Sequence, residues 1–288
     1  MSGGPPEQAA VREIHYRVGA PVLGHFPGHH RSRRGESGFE FRGHAALHDA
    51  PDPRRLDLHA SLRDPFGQWI VRVYSQRKSI PVTRVADLSA SMGFVGAQRK
   101  LDVLADFARS LAWSAWRTGD SFGFIGCDDQ VRTGLLLPQT RTRGVGETLA
   151  QKLRALQLGA GSAQALASAH RYLGRQRSLV FLVSDFHLPW DQLDAVLASL
   201  AHHDVVPVVI WDRAEFTLSA ARGLAQVTDP ESGRRRLVWW RPALRAQWAA
   251  QQGARREKLV QLCRARRLKP LFIEDGFDAD AVTRHFHA

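Results

Sequence analysis

Cysteine is scarce in this 288-residue chain, where Cys127 and Cys263 are the whole complement. Two thiols are too few for a disulfide framework or a zinc ribbon, and each is expected to be packed or free rather than catalytic. No apolar run reaches the about 18 to 20 residues that cross a bilayer. The first twenty residues, MSGGPPEQAAVREIHYRVGA, lack a basic start followed by an apolar core, so the expected compartment is the cytoplasm. Also missing are the phosphate-cradling G-x-x-x-x-G-K-[ST] loop, the H-E-x-x-H zinc helix and the G-x-S-x-G nucleophile turn. Ser184-Asp185-Phe186-His187 has the residue types of a hydrolase triad, but neighbours on a strand point to opposite faces. No enzyme is expected, and any ATP chemistry belongs to a partner.

Acidic residues are in deficit, with 28 Asp and Glu against 40 Lys and Arg and a formal net charge of +12. That balance favours acidic partners: nucleic acid, an anionic membrane surface or an acidic protein. The clusters Arg31-Ser32-Arg33-Arg34, Arg234-Arg235-Arg236 and Arg264-Ala265-Arg266-Arg267 carry no stacking-aromatic module with them. A protein-docking surface is therefore favoured, with basic nucleic-acid binding as the alternative. His25, His29, His30, His44, His48 and His59 make the N-terminal region rich in histidine, which leaves histidine–metal binding as a second alternative.

Residues 1–12 are expected to form a flexible tail and residues 13–78 a β-rich segment, because Gly, Pro, His and Arg crowd this part of the chain. From 79 to 288 strands and helices alternate. Ile80 to Ala86, Ser121 to Cys127, Ser178 to Asp185, Val205 to Trp211 and Lys269 to Ile273 read as strands, and Val131 to Leu137 as an edge strand. Lys100 to Trp116 places Leu101, Leu104, Ala105, Ala108, Leu111, Ala112 and Ala115 on one helical stripe. Gly146 to Leu156, Ala163 to Leu173 and Trp190 to His202 read as further helices. Thr228 to Gly233 reads as the turn of a hairpin, followed by a long basic helix from Pro242 to Arg267. In that helix Leu244, Trp248, Leu259 and Leu262 are expected to pack on the sheet, leaving Arg245, Arg255, Arg256, Lys258, Arg264 and Arg266 in solvent. The fold class is α/β, a doubly wound and mostly parallel sheet with helices on both faces. Such sheets collect ligands at the carboxyl ends of their strands.

Two strands end in carboxylates, Asp87 and Asp185. Asp87, Ser89 and Ser91 stand at i, i+2 and i+4, so a chain that stays extended aims all three at one centre. Carboxylate and hydroxyl oxygens are the hard donors that magnesium and manganese prefer. A helix N-cap explains the same residues on the triplet alone. Gly93 and Gly96 then let the backbone turn towards the helix. Ser162, on the glycine-bearing loop Gly159-Ala160-Gly161-Ser162, adds a further hydroxyl.

Together D-x-S-x-S, the loop hydroxyl and the later strand-end aspartate resemble the metal-ion-dependent adhesion site of von Willebrand factor A domains. The resemblance implies a metal set of Asp87, Ser89, Ser91, Ser162 and Asp185, with serine at 162 where threonine is usual. It implies Mg2+, or Mn2+ or Ca2+ in its place, with Asp185 acting through water and a partner's acidic side chain completing the coordination. Gly38-Phe39-Glu40-Phe41-Arg42, Asp49 to Arg54, Leu56-Asp57-Leu58-His59-Ala60-Ser61-Leu62-Arg63 and Val71-Arg72-Val73-Tyr74 resemble the signature of the domain-of-unknown-function 58 (DUF58) family over roughly residues 24 to 245. His48 replaces the usual glycine, Leu58 the usual tryptophan and Leu62 the usual alanine. Members of that family, MxaS-type proteins among them, are associated with MoxR-type AAA+ ATPases. The resemblance implies a non-enzymatic adaptor that helps such an ATPase mature or assemble a client protein.

Overall fold

The computed structural model describes residues 11–17, 27–31, 40–75, 77–159, 161–215, 223–228, 235–274 and 276–287. The chain forms two compact units. The smaller comprises Arg17–Ile80 and Thr118–Asp120, and the larger comprises the rest.

The smaller unit carries β1 (Pro27–Arg31), β2 (Glu40–Ala46), α1 (Leu58–Arg63), β3 (Ile70–Ser75) and β4 (Arg77–Lys78), paired antiparallel as β1 with β4 and β2 with β3. Gly38 and Phe39 of the signature lie outside the described residues. Its organising group is Asp57, whose carboxylate caps α1 through the Ala60 N–H (3.1 Å) and receives Arg72 Nε at 2.7 Å and His44 Nε2 at 3.1 Å. The bonds from Arg72, Ala60 and His44 hold this carboxyl well below the usual range. The Ser61 hydroxyl donates to Asp57 O and accepts from the Ile70 N–H, tying α1 to β3. Leu58 and Leu62, where the sequence departs from the family signature, are exposed.

The larger unit runs β5 (Pro81–Asp87), α2 (Lys100–Thr118), β6 (Ser121–Cys127), β7 (Val131–Thr140), α3 (Val145–Ala155), a 3-10 segment (Gln164–Tyr172), β8 (Leu179–Ser184), α4 (Trp190–Ser199), β9 (Asp204–Trp211), β10 (Gly223–Thr228), β11 (Arg235–Trp240), α5 (Pro242–Ala265), β12 (Leu271–Glu274) and α6 (Ala279–His287). Six strands form the sheet in the order β12-β9-β8-β5-β6-β7, parallel except for the antiparallel edge strand β7. Alternation along the strands sends side chains to opposite faces. Val85, Val180 and Leu182 meet Leu166, Leu193, Leu197 and Leu259 on one face. Phe181 meets Phe107 of α2 and Phe286 of α6 on the other. Both faces are thus covered, which is why β8 is buried throughout and uniformly apolar but for its last residue. Every apolar position of the α2 stripe is buried.

Several local expectations are adjusted. Residues 164–172 wind as 3-10 turns in place of an α-helix. Pro207 lies on β9, one strand in from the edge, but β12 begins opposite Val208, so no β12 residue pairs with the proline. Residues 13–16 join the larger unit: the Ile14 N–H donates to Ser114 Oγ at 2.8 Å, and Glu13 pairs with Arg117. The hairpin β10–β11 pairs from Gly223 and Trp240 to Thr228 and Arg235, while residues 229–233 of its turn lie outside the described residues. No described helix is long and apolar enough to cross a membrane.

Candidate metal centre

β5 and β8 are neighbours, yet the chain leaves β5 towards β6 on one side and later returns to β8 on the other. The carboxyl ends of these two strands are therefore the switch point of the sheet, where the covering connections part. Asp87 closes β5, and Ser184-Asp185 closes β8.

The residues are brought together by direct contacts. Asp87 Oδ1 accepts the Ser89 N–H at 2.8 Å, which bends the chain after β5. Ser89 Oγ and Ser91 Oγ lie 3.1 Å apart. Ser89 stands at the start of the 3-10 turn Ala90–Gly93, but its side chain makes no capping bond, so the capping explanation does not account for it. Ser91 stands beside the Asp185 carboxylate and, after Lys100 and His187, helps to hold it low. Asp87, Ser89 and Asp185 are each 1% exposed.

Ser162 stands apart from this group. Its loop abuts the motif, since the Ala90 N–H donates to Gly161 O at 3.0 Å. Its own N–H and hydroxyl, however, are both given to Asp129 Oδ1, at 2.9 and 2.7 Å. Asp129 follows β6 and holds the loop by a short carboxylate clasp. Because the hydroxyl proton goes to Asp129, the lone pairs of Ser162 remain available.

Further residues complete the site. The Ser184 hydroxyl donates to Asp87 Oδ2 at 2.5 Å and accepts the Phe186 N–H at 2.9 Å, coupling the two strand ends. Phe186 has a left-handed φ of 54°, a costly conformation for a bulky residue. Arg255 of α5 secures that turn by donating to Phe186 O and to Leu188 O, the latter at 2.9 Å, while lying over the Trp190 ring. Arg255 is thus half-buried and structural, contrary to the solvated role expected for it, because it is the donor that these turn carbonyls lack. Lys100, 2% exposed, places its Nζ 2.9 Å from Asp185 Oδ2 and 2.7 Å from Glu215 Oε1. Asp212 accepts the Ala97 N–H at 2.8 Å, and its carboxylate fills the space beside Gly96. A Cβ on residue 96 would lie 2.3 Å from that carboxylate, so Gly96 supplies room here and no left-handed turn.

These contacts split the carboxylates. Burial and the neighbouring Asp185 push Asp87 up, against the bonds from Ser184 and Ser89. Burial acts on Asp185 in the same sense, but Lys100 and His187 outweigh it and hold that carboxyl low. Glu215 is lifted to about 7 by burial in spite of Lys100. Among the described residues Asp87 is a buried carboxylate served by neutral donors, beside two hydroxyls that share one hydrogen bond. A hard divalent cation suits this donor chemistry, because it would neutralise the uncompensated charge and use the hydroxyl lone pairs.

The alternatives find less support. Among the described residues no group of three or more His, Cys, Asp or Glu is placed to share a metal. His44 is bound to Asp57, and His25 lies outside the described residues. Along α5, Arg256 pairs with Glu274 and Arg266 with Asp194, so these two are not held free for phosphates. Burial pushes the Cys127 and Cys263 thiols up to about 12 and about 11, so neither is a thiolate at neutral pH.

An 80-residue stretch is 44% identical to an "Uncharacterized protein in moxR 3'region" of Paracoccus denitrificans, covering 28% of this chain and 72% of that one. Among solved structures, the conserved hypothetical protein BatB of Bacteroides thetaiotaomicron aligns with a TM-score of 0.42 and 13% identity over 73% of this chain and 96% of its own. The SpRpn10 VWA domain aligns with a TM-score of 0.39 and 13% identity over 72% of this chain and 94% of its own. Residues 50–258 match the family described as "Protein of unknown function DUF58", and the chain belongs to that family.

Proposed function

We propose that this protein is a non-enzymatic adaptor that docks an acidic group of a protein partner through a divalent cation. The observation that carries the reading is the convergence of Asp87, Ser89, Ser91 and Asp185 at the sheet's switch point, with Asp87 buried and, among the described residues, lacking a positive partner. Asp87 and Asp185 supply charge, Ser89 and Ser91 supply neutral oxygens, and Asp129 keeps the lone pairs of Ser162 available at the rim. A bound Mg2+, or Mn2+ or Ca2+, would supply a coordination position that a partner's carboxylate can fill. The charge of +12 complements an acidic partner.

The partner we infer is a MoxR-type AAA+ ATPase, with which the adaptor acts in maturing or assembling a client protein. The Paracoccus denitrificans relative, described by its place in a moxR 3' region, supports this pairing. Isothermal titration with MgCl2 tests the cation site directly. Wild-type protein is expected to bind and Asp87→Ala to lose binding, whereas equal heats in the two proteins would refute the assignment. Co-purification with the ATPase is expected in Mg2+ and to be lost in EDTA.

A further inference from the structure

We propose that Lys100 is a built-in counter-cation of this centre, which holds Asp185 and Glu215 and thereby weakens the centre's affinity for divalent ions. The inference rests on the cation reading above and concerns what limits it. The Lys100 ammonium donates to Asp185 Oδ2 at 2.9 Å and to Ser91 O at 3.4 Å, and it forms an ion pair with Glu215 Oε1 at 2.7 Å. At 2% exposure the side chain is enclosed by the site itself.

Its anchors are also the site's own parts. Asp185 is one of the two carboxylates a cation would use, and the Ser91 carbonyl belongs to a residue whose hydroxyl is another donor. Glu215 ends the 3-10 turn Arg213–Glu215 after β9. Lys100 therefore joins the exits of β5, β8 and β9. A divalent ion entering beside Asp87, Ser89 and Ser91 meets a fixed positive charge already bound to Asp185. Like charges at such range repel strongly in a buried site, so the ion must share that carboxylate at a cost. Without the lysine charge, Asp185, still beside His187, and Glu215 would both attract the ion more strongly.

The test uses the full chain, MnCl2 as the probe and four proteins: wild type, Asp87→Ala, Lys100→Met, and Lys100→Met combined with Asp87→Ala. Calorimetry is expected to show Lys100→Met binding Mn2+ at least about tenfold more tightly than wild type, with binding absent from the double variant. Binding in Lys100→Met alone, with none in wild type, supports the proposal in its strongest form. Equal or weaker binding in Lys100→Met, with Asp87→Ala still abolishing the wild-type heats, overturns the role of Lys100 and leaves the cation reading intact. No binding in any protein overturns both. Thermal unfolding by circular dichroism guards against a folding defect, since Mn2+ is expected to raise the Tm of Lys100→Met more than that of wild type. A Lys100→Met chain that stays unfolded in millimolar MnCl2 overturns the proposal, because the ion would have failed to replace the lost charge.

Discussion

Asp87→Asn separates the stability of the centre from its proposed use. In an unfolded chain this carboxyl ionises near 3.8, and in the fold burial and Asp185 raise it to about 6. Between those values the folded protein binds a proton that the unfolded chain has released. Stability contributed by this group therefore falls as pH rises through the window, and the cost persists above it. At about 1.4 kcal/mol per pH unit the gap corresponds to roughly 3 kcal/mol of destabilisation at neutral pH. Asparagine has no charge to bury. Its Oδ1 can keep the Ser89 N–H, while its amide N–H meets a Ser184 hydroxyl that already accepts from Phe186 and must find another acceptor, a loss of about 1 kcal/mol. Asp87→Asn is thus expected to stabilise the metal-free protein by roughly 2 kcal/mol at neutral pH, with the advantage vanishing near pH 4. Urea unfolding in EDTA across that range measures it. A destabilised variant at neutral pH, or a difference from wild type that does not change with pH, would refute the reasoning.

Two other substitutions probe the frame around the site. Arg84 lies fully buried on β5, donates Nη1 to Leu104 O at 2.9 Å and stacks over Phe107, but among the described residues its Nε and Nη2 have no hydrogen-bond partner. Arg84→Met is expected to leave stability within about 1 kcal/mol of wild type or to raise it, since an incompletely paired buried charge gives little net stabilisation. A loss above about 3 kcal/mol in denaturant unfolding would show that the guanidinium contributes more than its visible contacts. Asp129→Ala releases the Ser162 loop from its clasp and is expected to weaken Mg2+ binding about fivefold, near 1 kcal/mol, with a loss of stability of no more than about 1 kcal/mol. Unchanged calorimetric affinity would remove Ser162 from the cation's surroundings.

Much of this was legible in the chain. The alternation of apolar strands with the α2 stripe defined the α/β class, because burial on two faces leaves continuous apolar runs such as Leu179 to Val183. Asp87 and Asp185 stood out as carboxylates ending such runs, and D-x-S-x-S carried its own spacing. The 3-10 segment Gln164–Tyr172 was not separable from an α-helix, since over so few residues the two periods place the same apolar positions inwards.

Residue order by itself therefore determined the sheet, its strand ends and the spacing that sets the oxygens of Asp87, Ser89 and Ser91 after β5. Tertiary structure alone decided which charges face them. Lys100 reads in sequence as the first residue of an amphipathic helix, yet folding places its ammonium against Asp185, 85 positions away, and against Glu215 beyond β9. Likewise only the fold shows that the Ser162 hydroxyl gives its proton to Asp129, 33 residues earlier, which turns its lone pairs outward. Local spacing fixes which oxygens share a strand end, because backbone geometry is local. The balance of buried charge depends on residues that meet only when the strands converge, and such meetings leave no periodic trace in the chain.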